Sequence, residues 1–599
     1  MTPPETSSEQ ARGFTWLRFD EEPKAGENSS ADHVNAGHSF KCPTYVLRTP
    51  SCQNGCPAGE DIRGYMDIIR GLEPAEDPYA AAWQRLVEAN PFPSVMGRTC
   101  PAPCQEACNR NNVEDTVGIN SVEQFLGDYA LQNGLSLGQP GPDTGKKVAV
   151  VGSGPGGLSA AYQLRRRGHA VTLFESKEKL GGMMQYGLPP YRCNRDVVDG
   201  EVQRVVDMGV EVRNNTQVGV DVALEDLRKD FDAVFLGLGA HRGRALPVDG
   251  AQEADNCLTG VEYLAEVNKG SITDMGSHVI VVGGGNTAMD VARSSLRLGA
   301  KVTILSRSGR EGMNADAEEI DDAIDEGAEL RTGVGVADLL EIQGGKTRGA
   351  KLIELEQTGD HKFEPKAGSE HELEADYIIA AIGQNPVFDG FEWLNDGTNW
   401  LNIDGNYRVK GTENLFTGGD TLGLDLLTTA VGHGRKAAEC IDEMMSGQEL
   451  SKRPRVDVSH YDIKRAMPAE QRNFISNFAD RSDRDVARFE HLYGAHFKVT
   501  DRNVRDHKSL DKVVGNQEER ILPLTAEQVK AEAERCMSCG LCFECDNCMV
   551  YCPQDAVKRV EKSEQTLGRY VETDYTRCIG CHICADVCPT GYIEMAMGS

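Results

Sequence analysis

A short β-branched run, Lys147 to Val151, ends in Gly152-Ser153-Gly154-Pro155-Gly156-Gly157, and a second, Val279 to Val282, ends in Gly283-Gly284-Gly285-Asn286-Thr287-Ala288. Few folds accommodate this arrangement twice. Helical periodicity from Leu158 to Arg167 follows the first turn, so the segment reads as strand, turn and helix, the opening of a parallel α/β sheet. The glycines let backbone amides approach a pyrophosphate at the positive end of that helix, and a side chain at Gly154 would block the approach. The next strand, Ala170 to Phe174, ends at Glu175, whose carboxylate suits ribose hydroxyls. Gly152, Gly154, Pro155, Gly157 and Glu175 are therefore candidate dinucleotide contacts.

In the second unit Ala288 stands where tight helix packing needs a small residue, and Gly283, Gly285, Asn286, Thr287 and Ala288 are the matching candidates. Its next strand, Lys301 to Leu305, runs not into an acid but into Ser306-Arg307-Ser308-Gly309-Arg310, which makes Arg307 and Arg310 candidates for a nicotinamide cofactor. Two such units, one ending in Glu and one in arginines, are what FAD and NAD(P) require of a flavoprotein reductase. Two empty copies of a structural fold are the plain alternative.

With 599 residues, and about 150 per domain, the chain has room for roughly four compact units. No run of about 18 apolar residues occurs to span a bilayer. A net charge of -30, from 93 acidic and 63 basic residues, argues against a nucleic-acid partner, since counterion release needs clustered Lys and Arg. Met1 to Asp20 lacks the basic start and apolar core of a signal peptide, which points to the cytoplasm. Thiols stay reduced there, so closely spaced cysteines read as metal or cluster ligands. Sixteen of the 19 fall in two groups, whereas Cys193, Cys257 and Cys440 stand apart and read as small buried apolar residues.

The first group, Cys42, Cys52, Cys56, Cys100, Cys104 and Cys108, lies in a helical segment with Ile62, Tyr65, Met66 and Ile69 on one face. Six cysteines split over two segments suit iron-sulfur clusters better than zinc, which needs only four ligands. In the second group, Cys578, Cys581, Cys584 and Cys588-Pro589 form a bacterial ferredoxin run whose fourth cysteine ligates a partner cluster. Upstream stand six more, Cys536, Cys539, Cys542, Cys545, Cys548 and Cys552, where four suffice. Either Cys542 and Cys545 or Cys536 and Cys539 complete that cluster, leaving a spare Cys-x-x-Cys. Two carboxyl-terminal 4Fe-4S clusters follow in either case.

Val148 to Glu175, Gly181 to Pro189 and Val282 to Asp290 resemble the small subunit of glutamate synthase and its relatives, which include dihydropyrimidine dehydrogenase and the large subunit of electron-bifurcating ferredoxin:NADP oxidoreductases. The resemblance implies a nicotinamide domain (259-382) inserted in an FAD domain (146-258 and 383-450). A polar arm (1-41) and a helical iron-sulfur domain (42-145) precede them, and a charged linker (451-526) and an α+β two-cluster ferredoxin domain (527-599) follow. It implies flavin contacts at Gly182, Gly187, Gly239, Gly383, Gly419 and Asp420, and at Thr429 and Ala430, where a helix start faces the flavin. It also implies two amino-terminal 4Fe-4S clusters and a homodimer. Cys56, Cys100 and Cys104 would share one cluster with Glu123, and Cys42, Cys52 and Cys108 would hold the other. The second is one ligand short, because Tyr45 stands where the family has a cysteine; His33, His38, solvent or a 3Fe-4S cluster are the alternatives. NADPH-using relatives read Tyr-Arg-Arg-Ser-Arg over residues 306 to 310. Ser308 therefore forgoes a charge-assisted contact of roughly 1.5 to 3 kcal/mol, which favours NAD(H) over NADP(H).

Hydride transfer itself needs no acid-base residue, so no catalytic side chain is expected. The order of reductase core, charged linker and terminal ferredoxin resembles the iron-sulfur flavoproteins that serve dissimilatory sulfite reductase in sulfur-oxidising bacteria. That implies electron exchange between NAD(P), FAD and clusters, with sulfite reductase as the protein partner. An NAD(P)H:ferredoxin or bifurcating oxidoreductase subunit and a glutamate synthase small subunit are the alternative enzymes. A zinc and nucleotide scaffold is the alternative that is not an enzyme.

Overall fold

The computed structural model describes residues 41-359, 362-395, 397-459, 478-560 and 570-597. The arm, with His33 and His38, lies outside these apart from its last residue. Five parallel strands form the first sheet in the order Leu415–Thr417, Ala233–Leu236, Lys147–Val151, Ala170–Phe174 and Glu211–Arg213. Its central strands read as unbroken apolar runs because both faces are covered. Val148, Val150 and Phe235 enter one core with Leu158 and Val431, while Ala149, Val151 and Leu236 enter another with Leu224 and Phe388. Helix Pro155–Arg166 packs along helix Leu427–Met445 beside the first of these cores.

A second parallel sheet, ordered Glu329–Thr332, Lys301–Ser306, His278–Val282, Tyr377–Ala380 and Cys257–Thr259, is formed by chain lying between two neighbouring strands of the first. One nucleotide unit is thus inserted in the other. An antiparallel flap of Val334–Leu339, Gly349–Gly359, Lys362–Pro365 and His371–Glu374 follows its last crossover.

The amino-terminal helices start on conventional caps. Asp61 accepts from the Gly64 amide at the head of Ile62–Ile69, and Asp77 from the Tyr79 and Ala80 amides ahead of Pro78–Val87. Ile62, Tyr65, Met66 and Ile69 are buried with Trp83, Val122 and Leu126, as their spacing requires. Leu524, Val529 and Ala533, from the far end of the chain, join the same core. The first and last described strands also pair: Lys41–Leu47 runs antiparallel to Ile593–Met597 and parallel to Phe478–Asp480.

The charged stretch expected to be a linker is therefore not one over residues 478-526. Arg505 donates to the Gly97 carbonyl (2.7 Å) and Gln124 Oε1 (2.6 Å), Glu519 accepts from Arg98 Nε (3.0 Å), and buried Arg297 donates to the carbonyls of Val513, Asn516 and Glu518. Polar and backbone contacts of this kind leave no apolar period in the sequence. Among the described residues no helix is long and apolar enough to cross a membrane.

Candidate functional site

Gly154, Pro155, Gly239, Gly419, Asp420 and Ala430 line one cleft, with Met183, His241 and Leu427 beside them. The crossover of chain at the end of the strand dictates the glycines. Gly152 has φ +94°, and a Cβ on Gly157 would stand 1.9 Å from the Gly152 carbonyl oxygen. Gly154 differs: a Cβ there meets nothing of the protein within 4 Å, so its small size leaves cleft space free. Gly182 lies against Gly154, and Thr429 and Ala430 sit in the first turn of Leu427–Met445. Of the other expected contacts, Gly152, Gly157, Glu175, Gly182, Gly187, Gly383 and Thr429 are not among the residues lining the cleft.

Glu175 is held beside the turn, accepting from the Ser153 amide (2.9 Å) and hydroxyl (2.5 Å) and from the Lys177 amide (2.9 Å). Burial pushes the Asp420 carboxyl up to about 6, and lowers His241 and His433 to about 4. His433 Nδ1 accepts from the Gly419 amide (3.2 Å), whereas His241 Nδ1 is buried and finds no partner among the described residues. Open space at Gly154 and an orphaned, buried ring nitrogen of His241 offer room and a hydrogen-bonding partner to a further polar molecule, and FAD fits both.

In the inserted unit Gly283 repeats the Gly152 arrangement with φ +147°, and Gly285, like Gly154, faces open space. Asn286, Thr287 and Ala288 form the first turn of Asn286–Arg297. The Asn286 amide exchanges hydrogen bonds with Asp316, donating to Oδ2 (3.1 Å) and accepting from the backbone N–H (2.9 Å). Arg307 is exposed, with its guanidinium 5.5 Å from the Phe363 ring centroid, and Arg310 pairs with Asp321. Ser308 accepts from Ser306 Oγ through its carbonyl (2.9 Å).

The cysteines assemble into four groups. Cys56, Cys100 and Cys104 come together with Glu123, and burial raises all three thiols, Cys100 to about 12. Glu60 joins them: Asn90 Nδ2 donates to both Glu60 Oε1 (2.9 Å) and Glu123 Oε1 (2.8 Å), and burial pushes both carboxyls up, Glu60 to about 7. Cys100 Sγ lies 3.5 Å from Thr428 Oγ1, at the helix start beside the cleft, so this group adjoins the nucleotide site.

Cys52 and Cys108 meet Cys536 and Cys539 rather than Cys42. The expected trio is corrected here, and the physical reason is strand pairing. Cys42 lies opposite Ala596 in the sheet that joins the chain ends, close enough to Cys578 to raise that thiol. Tyr45 is buried in the carboxyl-terminal core, bonded to Thr573 Oγ1 (2.7 Å).

In the carboxyl-terminal module burial raises the thiols of Cys542, Cys545 and Cys548, with nearby Cys588 adding to it, and burial raises those of Cys578, Cys581 and Cys584, with nearby Cys552 adding to it. This is the crossed pattern of a two-cluster ferredoxin. Cys193 and Cys440 are buried among apolar side chains, and Cys257 is half-buried on the second sheet. Sequence reasoning missed Glu60, Asn90 and His241. Glu60, four residues after Cys56, carried the only local signal.

A helical cysteine-bearing domain, an FAD-type unit with a nicotinamide-type unit inserted, and a ferredoxin module define an NAD(P)H-dependent FAD and iron-sulfur oxidoreductase. Residues 146–434 match the pyridine nucleotide-disulphide oxidoreductase family, residues 21–135 the dihydropyrimidine dehydrogenase domain II 4Fe-4S cluster family, and residues 541–592 the 4Fe-4S dicluster domain. The chain is 33% identical over 527 residues to the NADPH-Fe(3+) oxidoreductase subunit beta of Geobacter sulfurreducens, covering 82% of this chain and 75% of the relative. It is 36% identical over 454 residues to the NADP(+)-dependent formate dehydrogenase subunit beta of Moorella thermoacetica (70% of this chain, 63% of the relative). With the glutamate synthase [NADPH] small chain of Escherichia coli it shares 33% over 425 residues (65% and 88%). The chain belongs to the family of iron-sulfur flavoproteins related to the glutamate synthase small chain.

Proposed function

We propose that this protein is an NAD(P)H:ferredoxin-type oxidoreductase, exchanging electron pairs with a nicotinamide and single electrons with a protein acceptor docked at its carboxyl-terminal module. The observation that carries this reading is the 3.5 Å contact between Cys100 Sγ and Thr428 Oγ1, which brings a buried cysteine group to the edge of the nucleotide cleft. Bound FAD would take electrons in pairs and release them singly to clusters. The cleft around Gly154, Glu175 and Asp420 would hold it. Gly283 to Ala288, with Arg307 and Arg310, would hold the nicotinamide cofactor. Cys56, Cys100 and Cys104, with Glu123 or Glu60, would hold the cluster nearest the flavin.

NAD(H) is the preferred nicotinamide in this proposal. Ser308 brings no charge, and Arg310 is already paired with Asp321. The Geobacter relative is named for ferric iron and the Moorella relative for formate, so a nicotinamide end joined to a variable acceptor is the reading that spans both. Dissimilatory sulfite reductase, implied by the domain order, is one acceptor to try, and a homodimer is the assembly that goes with it.

The test is anaerobic reduction of the purified protein by NADH and by NADPH, followed by turnover with ferredoxin, sulfite reductase and the glutamate synthase large subunit as separate acceptors. Bleaching of flavin and cluster absorbance, with turnover of ferredoxin, is expected. Exclusive turnover with the glutamate synthase large subunit, or protein free of iron and acid-labile sulfide, sinks the proposal.

A further inference from the structure

We infer that Cys52 and Cys108 of the amino-terminal domain and Cys536 and Cys539 of the carboxyl-terminal segment together ligate one iron-sulfur cluster. The four line a single cavity whose remaining wall is largely apolar, with Ile62, Met66, Val117 and Met537. Matches to known cluster domains stop at residue 135 and resume at 541, so Cys536 and Cys539 belong to neither. The inference rests on the iron-sulfur reading proposed above and deepens it.

Several contacts hold the distant segment in place. Helix Ala526–Glu534 packs on the amino-terminal helices, and Glu532 accepts from the Gly118 amide (2.7 Å). Arg70 donates to the Cys536 carbonyl (2.8 Å), Arg63 to the Cys539 carbonyl (2.8 Å) and Asn109 Nδ2 to Cys539 Sγ (3.3 Å). The guanidiniums and the amide supply the positive field that a set of thiolates requires once water is excluded. Among the described residues no three Cys, His, Asp or Glu side chains close on a point where one metal ion would sit. The four thiols surround a volume instead, which suits a polynuclear cluster rather than zinc at about 2.3 Å from each sulfur.

Two puzzles of the sequence then share one answer. The amino-terminal set lacks ligands because Cys42 and Tyr45 are taken into a strand, and the carboxyl-terminal set has a spare Cys-x-x-Cys because that pair serves the other domain. Cys52 lies four residues before Cys56, and Cys539 three before Cys542. The shared site therefore stands between the flavin-side group and the ferredoxin pair, and it staples the two ends of the chain.

The experiment uses the full chain, purified anaerobically, with Cys536→Ser, Cys539→Ser, the double variant, and Cys42→Ser as control. The double variant should lose about four iron and four acid-labile sulfide and one reduced-state EPR signal while keeping its FAD, and the control should lose none. A double variant with full iron, or equal loss from Cys42→Ser, overturns the assignment. Wild-type protein supplies a measurement that does not depend on how the variants fold. Anaerobic iodoacetamide labelling should spare Cys52, Cys108, Cys536 and Cys539 together and reach them together after iron chelation. Labelling of Cys536 or Cys539 in iron-loaded protein refutes it. Wild-type protein without iron removes the functional proposal as well; wild-type iron unaffected by the double variant removes this inference alone.

Discussion

Replacing Gly157 with alanine puts a Cβ 1.9 Å from the Gly152 carbonyl oxygen and 3.0 Å from its carbon. Both are backbone atoms, so no rotamer relieves the contact. Reaching even 3.0 Å, a separation that real Cβ atoms essentially never undercut, needs a shift of 3.0 minus 1.9, or 1.1 Å. Overpacking costs about 1 to 3 kcal/mol, and a contact between two backbones belongs near the top of that range. Relief of the contact displaces the turn, and because the cost of about 3 kcal/mol falls partly on the folded apoprotein, FAD binding weakens by less than the roughly hundredfold that the whole cost would give. Gly154→Ala is the matched control, because its Cβ meets no protein atom within 4 Å and intrudes only on the cleft. Flavin absorbance after desalting, with thermal unfolding of the apoprotein, separates the two effects. Gly157→Ala should lose flavin and unfold earlier, whereas Gly154→Ala should lose flavin at an unchanged unfolding temperature. FAD bound to Gly154→Ala as tightly as to wild type would refute the cleft assignment, and an unchanged unfolding temperature for Gly157→Ala would refute the packing argument.

Ser308→Arg should move the ratio of kcat/KM for NADPH over NADH upward by tenfold or more, on the roughly 1.5 to 3 kcal/mol of a charge-assisted contact; an unchanged ratio places the cofactor phosphate elsewhere. Glu201 Oε1 and Oε2 accept from the Ser94 and Val95 amides in the first turn of helix Pro93–Thr99, and burial raises this carboxyl to about 8. The folded state then holds a proton that the unfolded state has released, so this group's contribution to stability falls as pH rises from about 4.5 to 8, by at most about 1.4 kcal/mol per unit. Glu201→Gln should abolish that slope in chemical denaturation midpoints, and parallel wild-type and variant curves from pH 5 to 8 would count against it.

The nucleotide units were legible because their information is local. Strand, glycine turn and helix occupy the 20 consecutive residues from Lys147 to Arg166, and the clash that forbids a side chain at Gly157 involves Gly152, only five positions away. The ferredoxin run Cys578 to Cys588 was legible from spacing for the same reason, whereas spacing left open which of Cys536, Cys539, Cys542 and Cys545 join the upstream set, and only the fold brings Cys542 and Cys545 to Cys548 and Cys588. The partner of Glu123 was not: Glu60, 63 positions earlier, meets its carboxyl directly and shares with it the Asn90 amide, a contact made only when distant segments pack together. The charged stretch before residue 526 misled because arginines that bond to carbonyls, such as Arg505 to Gly97, order a chain without any hydrophobic period.

Composition, cysteine spacing and the two turns by themselves determined that this chain carries dinucleotide units and clusters. Each of those features depends on contacts within a few turns of backbone, where covalent connection sets the geometry. Only tertiary structure decided which cysteines share a site. Cys52 and Cys539 are separated by most of the chain, and what unites them is the burial of Val529 and Ala533 against the amino-terminal helices together with the pairing of Lys41–Leu47 to Ile593–Met597. Closing a loop of that length is an entropic cost met by the whole packed interface, and no local pattern in the sequence records it.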